Sequence, residues 1–285
     1  MKLENGRYEN KIIKYFLIFL ALIYIILILI VPIISVFFKA FESGVKPYFN
    51  SITDEYTLKA LKLTLLTIGI TVPINTIFGI VAAYAIAKFE FKGKSFLLSI
   101  LDLPFAVSPV IAGLIFVLLF STNHGYLGEF LNENNIKIIF APPGIIIATL
   151  FVTMPFVAKE LIPLMESLGN SEEEAAIILG ASGWKTFFKV TLPNIKWGLF
   201  YGIILATSRA AGEFGAVSVV SGHIRGLTNT IPLHIEVLYN EYQYNAAFSV
   251  ASILTIIAVI NLIIKNIAEW KVKDLNSVKT STEEI

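Results

Sequence analysis

The sequence predicts an all-helical integral membrane protein with six spans, and three observations carry that reading. Of the 285 residues, 56% are hydrophobic and only 15% are charged, where a soluble chain is about a quarter charged. Mean hydropathy is +0.76. The apolar residues gather into six long stretches, each near the roughly 20 residues a helix needs to cross about 30 Å of hydrocarbon. The basic residues fall unevenly on the two sides of those stretches. A net charge of +1 gives no basic surface for nucleic acid, and a chain without cysteine has no thiolate nucleophile, zinc–thiolate site or disulfide framework.

Taken in order, the first stretch is Tyr15–Phe38, uncharged and interrupted only by Pro32. It is too long for the apolar core of a signal peptide and no small-x-small cleavage site follows, so a retained helix is expected. Leu63–Ala87 is the second, with Pro73 and Gly79 inside it. The third, Leu103–Phe120, starts early, near Ser95, and takes Asp102 along. Ile138–Ala158 is the fourth, with Pro142, Pro143 and Pro155 placed at its ends or at a kink. Trp197–Val220 is exceptional, because it holds Arg209 and Glu213. Tyr242–Ile264 is the sixth and has no charge. Beyond Lys271 the tail is polar and expected to fray.

The positive-inside rule sets the orientation. With the N-terminus inside, Lys2, Arg7, Lys11 and Lys14 share the cytoplasm with Lys88, Lys92 and Lys94. Lys159, Lys185, Lys189 and Lys196 join them, as do Lys265, Lys271, Lys273 and Lys279. Fifteen of the 22 basic residues therefore lie inside. Both termini are expected in the cytoplasm.

Enzymatic signatures are missing from the sequence. Gly93-Lys94-Ser95 has Lys88 where a phosphate-binding loop needs its first glycine. His124, His223 and His234 all fall on the outer side without metal-ligand spacing and read as surface or interface residues. There is no G-x-S-x-G elbow. The chain is expected to hold no cofactor or metal of its own.

The segment 159–196 is too long for a plain connector. Ser171 and Glu174 have capping-box spacing, and Glu172, Glu173 and Glu174 suit the positive end of a helix dipole. A short helix should run to Leu179 and end at Gly180. Ser182 should cap a second helix carrying Trp184, Phe187 and Phe188, stopped by Pro193. Such a hairpin either lies on the lipid surface or docks a soluble partner. The small residues Ala175, Ala176, Gly180 and Ala181 favour docking, because they allow close backbone approach.

At these residues the chain resembles a known family. Glu174-Ala175-Ala176, then Gly180, then Leu192-Pro193 is similar to the E-A-A…G…L-P loop of ABC importer permeases. The resemblance implies a type I importer permease fold with its domain over 59–264, following an added first span in 1–58 and preceding a tail, 265–285. It also implies that the loop inserts into a cytoplasmic ATPase. The run Gly212-Glu213-Phe214-Gly215-Ala216 resembles the oxyanion branch, shared by molybdate/tungstate and sulfate permeases. The stretch from Ser221 to Tyr242 is most similar to the W-type subunit of sulfate/thiosulfate importers. The partners implied are a T-type second permease, two ATPase subunits that bind ATP and magnesium, and an extracytoplasmic sulfate/thiosulfate-binding protein. The location implied is the cytoplasmic (inner) membrane. The rival readings are a molybdate/tungstate permease and, from another class, an ion-coupled secondary transporter.

Arg209 and Glu213 stand four residues apart, on one face of a helix expected to begin near Ile195. Each charge at mid-bilayer costs roughly 2.5–3.5 kcal/mol, so neither should face lipid. The pair either lines the translocation path or its gate, packs the bundle as a salt bridge, or lets Arg209 snorkel outward. Gly212 and Gly215 should admit a neighbouring helix. The hydroxyls of Thr207, Ser208, Ser218 and Ser221 either meet an oxyanion or bond to helix carbonyls. In the outer loop 222–241, Arg225 and Asn229 are the candidates for meeting the binding protein, a role implied by the resemblance; an ordinary connector is the other reading.

Overall fold

The computed structural model describes residues 11–282 apart from His124, and for residues 11–12 and 268–282 the helix path only. Lys2, Arg7 and His124 thus lie outside the described residues, which are helical with no strand among them. Helix α1 (Lys11–Ile25), a π-helical turn (Ile26–Ile30) and α2 (Val31–Phe41) make one rod. A short α3 (Val45–Thr53) follows. The carboxylate of Asp54 then accepts from the Tyr56 and Thr57 amides at 2.9 and 3.3 Å. That caps α4 (Glu55–Lys88), which carries Pro73 inside it.

The third stretch is not one helix. It divides into α5 (Lys94–Ala106) and α6 (Pro109–Phe120), bent by 106°. Pro109 is the cause: the residue before a proline is pushed out of the helical region, and Val107 and Ser108 both take extended ψ values, 131° and 133°. After the small α7 (Gly128–Glu133), α8 (Pro142–Leu168) starts on Pro142 and Pro143 and continues past Pro155 and Pro163. The fourth span therefore runs ten residues beyond the expected end at Ala158. Lys159 sits inside α8, where it pairs with Asp102 of α5 at 2.5 Å.

The expected loop 159–196 shrinks accordingly. It consists of α9 (Ser171–Ile178), then α10 (Gly183–Thr186), a second π-helical turn (Phe187–Thr191) and α11 (Leu192–Ala211). Pro193 does not stop this rod, which is continuous from Gly183 to Ala211. Pro32 and Pro193 share a register: each lies two residues after a five-residue π-helical turn. The widened turn gives the ring room and absorbs the backbone bond that proline withholds. A 49° bend separates α11 from α12 (Gly215–Ser221). Two helices complete the chain, α13 (Ile231–Asn240) and α14 (Tyr244–Thr282). The last continues through the segment expected to fray. Four helices are long and apolar enough to cross a membrane, and the two bent pairs raise the total to six if each is one span.

Close packing organises the bundle, as expected where lipid supplies no hydrophobic drive between helices. Gly79 of α4 touches α8 so closely that a Cβ there would lie 2.6 Å from the Val157 Cβ. Around it Ala82, Ala83 and Ile86 bury against Val157, Ala158 and Leu161. Asn75 adds interhelical bonds, donating to the Leu150 carbonyl at 3.0 Å and to Thr153 Oγ1 at 2.8 Å. Gly113 of α6 lets Ala216 and Val219 of α12 approach in the same way, with both atoms 2.8 Å from a Cβ position. At the far end, Thr64 of α4 accepts from the Ile231 amide at 2.9 Å and so caps α13.

Candidate coupling surface and translocation path

The elbow between α9 and α10 turns on Gly180, whose φ of +85° is a conformation that favours glycine. Ser182 caps α10 by accepting from the Lys185 amide at 3.4 Å. The expected capping box is absent. Asn170 occupies the N-cap, its side chain making no capping bond to the backbone, and Ser171 is already the first helical residue. The three glutamates divide instead. Glu172 and Glu173 turn back towards the bundle: Glu172 accepts from Asn194, while Glu173 accepts from Thr191 at 2.7 Å and pairs with Lys88 at 2.6 Å. Glu174 and Ala175 face outward, and Ala176 is half-buried.

The tip beyond them is apolar and bare. Ile178 is 85% exposed, Leu179 87% and Trp184 76%. No residue of α9 is buried. Exposed aliphatic side chains of this size, set on small residues at a tight turn, form a projecting knob. Leu192 and Pro193 open α11, nine residues into the rod that rises behind it.

Deeper in the bundle the two broken spans meet. Gly215 opens α12 beside Pro109, which opens α6; a Cβ on Gly215 would lie 2.9 Å from the Pro109 Cβ. Gly212 has no such neighbour: the nearest atom to a Cβ there is the Ser208 oxygen at 3.8 Å. The expected close approach therefore holds at Gly215 and not at Gly212, and Gly113 is the second tight contact. Glu213 falls in the break itself. Its side chain is 1% exposed and pairs with the Arg209 guanidinium at 2.5 Å. The other carboxylate oxygen accepts from the Ala216 amide at 2.9 Å, so one buried carboxylate neutralises the arginine and caps α12.

Arg209 keeps 32% of its side chain exposed. It opens on a cavity of about 410 Å³ lined also by Phe105, Val107, Ser108, Pro109 and Phe156. The cavity sits at the α5–α6 break. The nearby hydroxyls are engaged locally: Thr207 donates to the Ile203 carbonyl at 2.8 Å and Ser218 to the Gly215 carbonyl at 2.9 Å. Ser208 accepts from Asn261 at 3.1 Å, and Ser221 from the His223 amide at 3.2 Å.

On the outer loop, Arg225 is exposed, paired with Glu241 at 2.5 Å and set over the Tyr56 ring at 5.6 Å. Asn229 is 3% exposed, which corrects the expectation that it stands at a docking surface: the chain turns it inward between Gly226 and the start of α13. His234 is likewise buried rather than superficial, with Nε2 3.1 Å from Thr57 Oγ1. Burial first, then the Arg225 cation, hold its imidazole below the ordinary value against the pull of Asp54 and Glu241. Lys88 and Asn75, central to the packing, carried no signal in the sequence beyond a lysine at a span end and a lone amide inside one.

The site geometry is thus that of a helical bundle of membrane-crossing length with an exposed apolar elbow and two bent helix pairs. The family model for the inner membrane component of binding-protein-dependent transport systems matches residues 75–276, and the chain belongs to that family. Among its relatives is the sulfate transport system permease protein CysW of Synechocystis sp., 51% identical over 91% of this chain and 94% of its own length. The Escherichia coli K12 protein of the same name is 46% identical over 94% and 93%. CysT of that organism is more distant, 38% identical over 73% and 74%. In fold, the chain is similar to a bacterial alginate ABC transporter solved with its periplasmic protein, with a TM-score of 0.74 over 90% of this chain at 19% identity.

Proposed function

We propose that this chain is one permease subunit of an ATP-driven importer that carries sulfate and thiosulfate across the cytoplasmic membrane. The observation that carries the cargo is its identity of 46–51%, over more than nine-tenths of its length, to permeases named for sulfate. Molybdate or tungstate is the alternative cargo within the same architecture. The chain itself performs no covalent chemistry. Half a pore needs a second half, which is the T-type subunit, and the knob at Ile178, Leu179 and Trp184 fits a groove on a cytoplasmic ATPase. Two ATPases hold the ATP and magnesium, and the extracytoplasmic binding protein delivers the anion over the loop that bears Arg225.

In this reading both termini are cytoplasmic, and α9 and α10 are the coupling element, with Glu174, Ala175, Ala176 and Gly180 at the ATPase contact. Arg209 supplies the positive potential without which a dianion is repelled from a low-dielectric path. Its pairing with Glu213 keeps the anion from being trapped. Gly215 and Ser218 shape the wall beside it. Alternating access follows if the broken spans rock about Pro109 and Gly215. An ion-coupled carrier would need no ATPase, and a nucleotide-binding subunit co-purifying with this chain removes that rival.

The test is radiolabelled sulfate uptake in cells lacking the chain, with and without its re-expression. Rescue that unlabelled thiosulfate competes with, and molybdate does not, is the expected result. Rescue competed by molybdate reassigns the cargo.

A further inference from the structure

The knob must push on something, and α9 is poorly anchored by apolar packing, since none of its residues is buried. What holds it is polar and converges on Lys88. This residue ends α4, and its side chain is only 7% exposed. The ammonium donates to the Gly169 carbonyl at 2.5 Å, to Asn170 Oδ1 at 3.1 Å and to Glu173 Oε2 at 2.6 Å. Gly169 terminates α8 and Asn170 opens α9. The other oxygen of Glu173 accepts from Thr191, which is 2% exposed and closes the π-helical turn beneath α11. One cation and one carboxylate thus join the ends of α4 and α8, the first turn of α9 and the root of α11.

The electrostatics suit each junction. A cation at two helix C-termini and a carboxylate in the first turn of a third helix all match their dipoles. An ammonium with its three protons placed on three acceptors has no further partner to seek. A clasp of this kind fixes geometry, because losing either member leaves the other charge nearly buried and unpaired.

We propose that Lys88 is a positioning residue for transport: through Glu173 it makes α4, α8 and α11 move as one body with α9, so that displacement of the knob becomes displacement of the spans. This rests on the coupling role proposed for α9. Glu174, Ala175, Ile178 and Leu179, which face away from the clasp, are left free to hold the ATPase when it is broken. Hydrolysis then continues while transport fails.

The experiment uses the complete importer, with its second permease, ATPase and binding protein, in proteoliposomes. Three quantities are read: ATPase retained on purification, ATP hydrolysed, and sulfate delivered per ATP. For Lys88→Met the expected result is full ATPase retention, continued hydrolysis, and sulfate per ATP reduced about tenfold, within the span seen for residues that carry coupling. Lys88→Arg should restore most of the ratio. Thr191→Val, which removes one arm and no charge, should lower it about threefold in a complex that assembles normally. Unchanged sulfate per ATP in both Lys88→Met and Thr191→Val overturns the proposal. So does loss of the ATPase from Lys88→Met together with an unchanged ratio in Thr191→Val, which would make the clasp a matter of assembly. Leu179→Asp separates the underlying reading: if that variant keeps both its ATPase and its transport, the coupling surface is wrong whatever Lys88 does.

Discussion

The elbow at α9–α10 and the broken spans at Arg209 solve opposite problems with the same residue types. At the elbow, Glu173 and Lys88 are drawn in and paired while Ile178, Leu179 and Trp184 stand bare. At the breaks, the ion pair is also drawn in, but the cation keeps a partly open side towards a cavity. In the proposed function, the bare apolar side chains of the elbow are covered by the ATPase. In the proposed function, the partly open side of the paired cation is where a passing anion would meet it. The contrast teaches that exposure, more than residue class, marks what each region contacts.

The contrast breaks most sharply at Arg209. Arg209→Gln leaves Glu213 buried without its cation, and the cost of orphaning a buried charge is about 3–5 kcal/mol. Sulfate uptake should fall at least about a hundredfold, and the yield of extracted complex should fall with it. The double variant Arg209→Gln/Glu213→Gln removes both charges, so yield should recover while uptake does not. Recovery of uptake in the double variant would make the pair a packing device and remove the cation from the path.

A smaller effect separates backbone strain from partner contact at the elbow. Gly180 and Gly93 both have left-handed φ values, +85° and +102°, and a Cβ at either meets nothing within 4 Å. Alanine at each should cost this chain the same order of strain, about 1–2 kcal/mol. Only Gly180 lies at the proposed ATPase contact. Gly180→Ala should therefore lower sulfate delivered per ATP several-fold more than Gly93→Ala does, as read in the reconstituted importer. Equal ratios would assign the whole effect to the turn.

These two regions were unequally legible in the sequence. The elbow is local: Gly180, Ser182 and the small residues lie within a dozen positions, and its turn chemistry can be read along the chain. Even there, Asn170 rather than Ser171 stands at the N-cap of α9, and its side chain accepts from Lys88, a residue distant in sequence. The breaks were not legible as breaks. Pro109 ends a helix as prolines do, but Pro73, Pro155 and Pro163 are carried inside theirs, and Pro32 and Pro193 each follow a widened turn. Which outcome a proline takes depends on the packing around it. His234 lies on α13, where its contact with Thr57 of α4 could not be read along the chain, and Asn229, just before that helix, is buried too.

His234 offers the smallest and most selective test, in a region that belongs to neither site. Its imidazole is held below the ordinary value by burial and by Arg225, so the unfolded chain binds the proton more readily than the folded one. Stability then rises with pH wherever that difference in protonation persists. The contribution is complete above the unfolded value of about 6.5 and is lost progressively as pH falls below it. The thermal midpoint of the purified complex should decline on acidification through this window, by a few degrees. His234→Asn, which keeps a polar side chain beside Thr57 and cannot titrate, should flatten that decline while lowering the midpoint at neutral pH. An unchanged slope in that variant would place the sensitive group elsewhere.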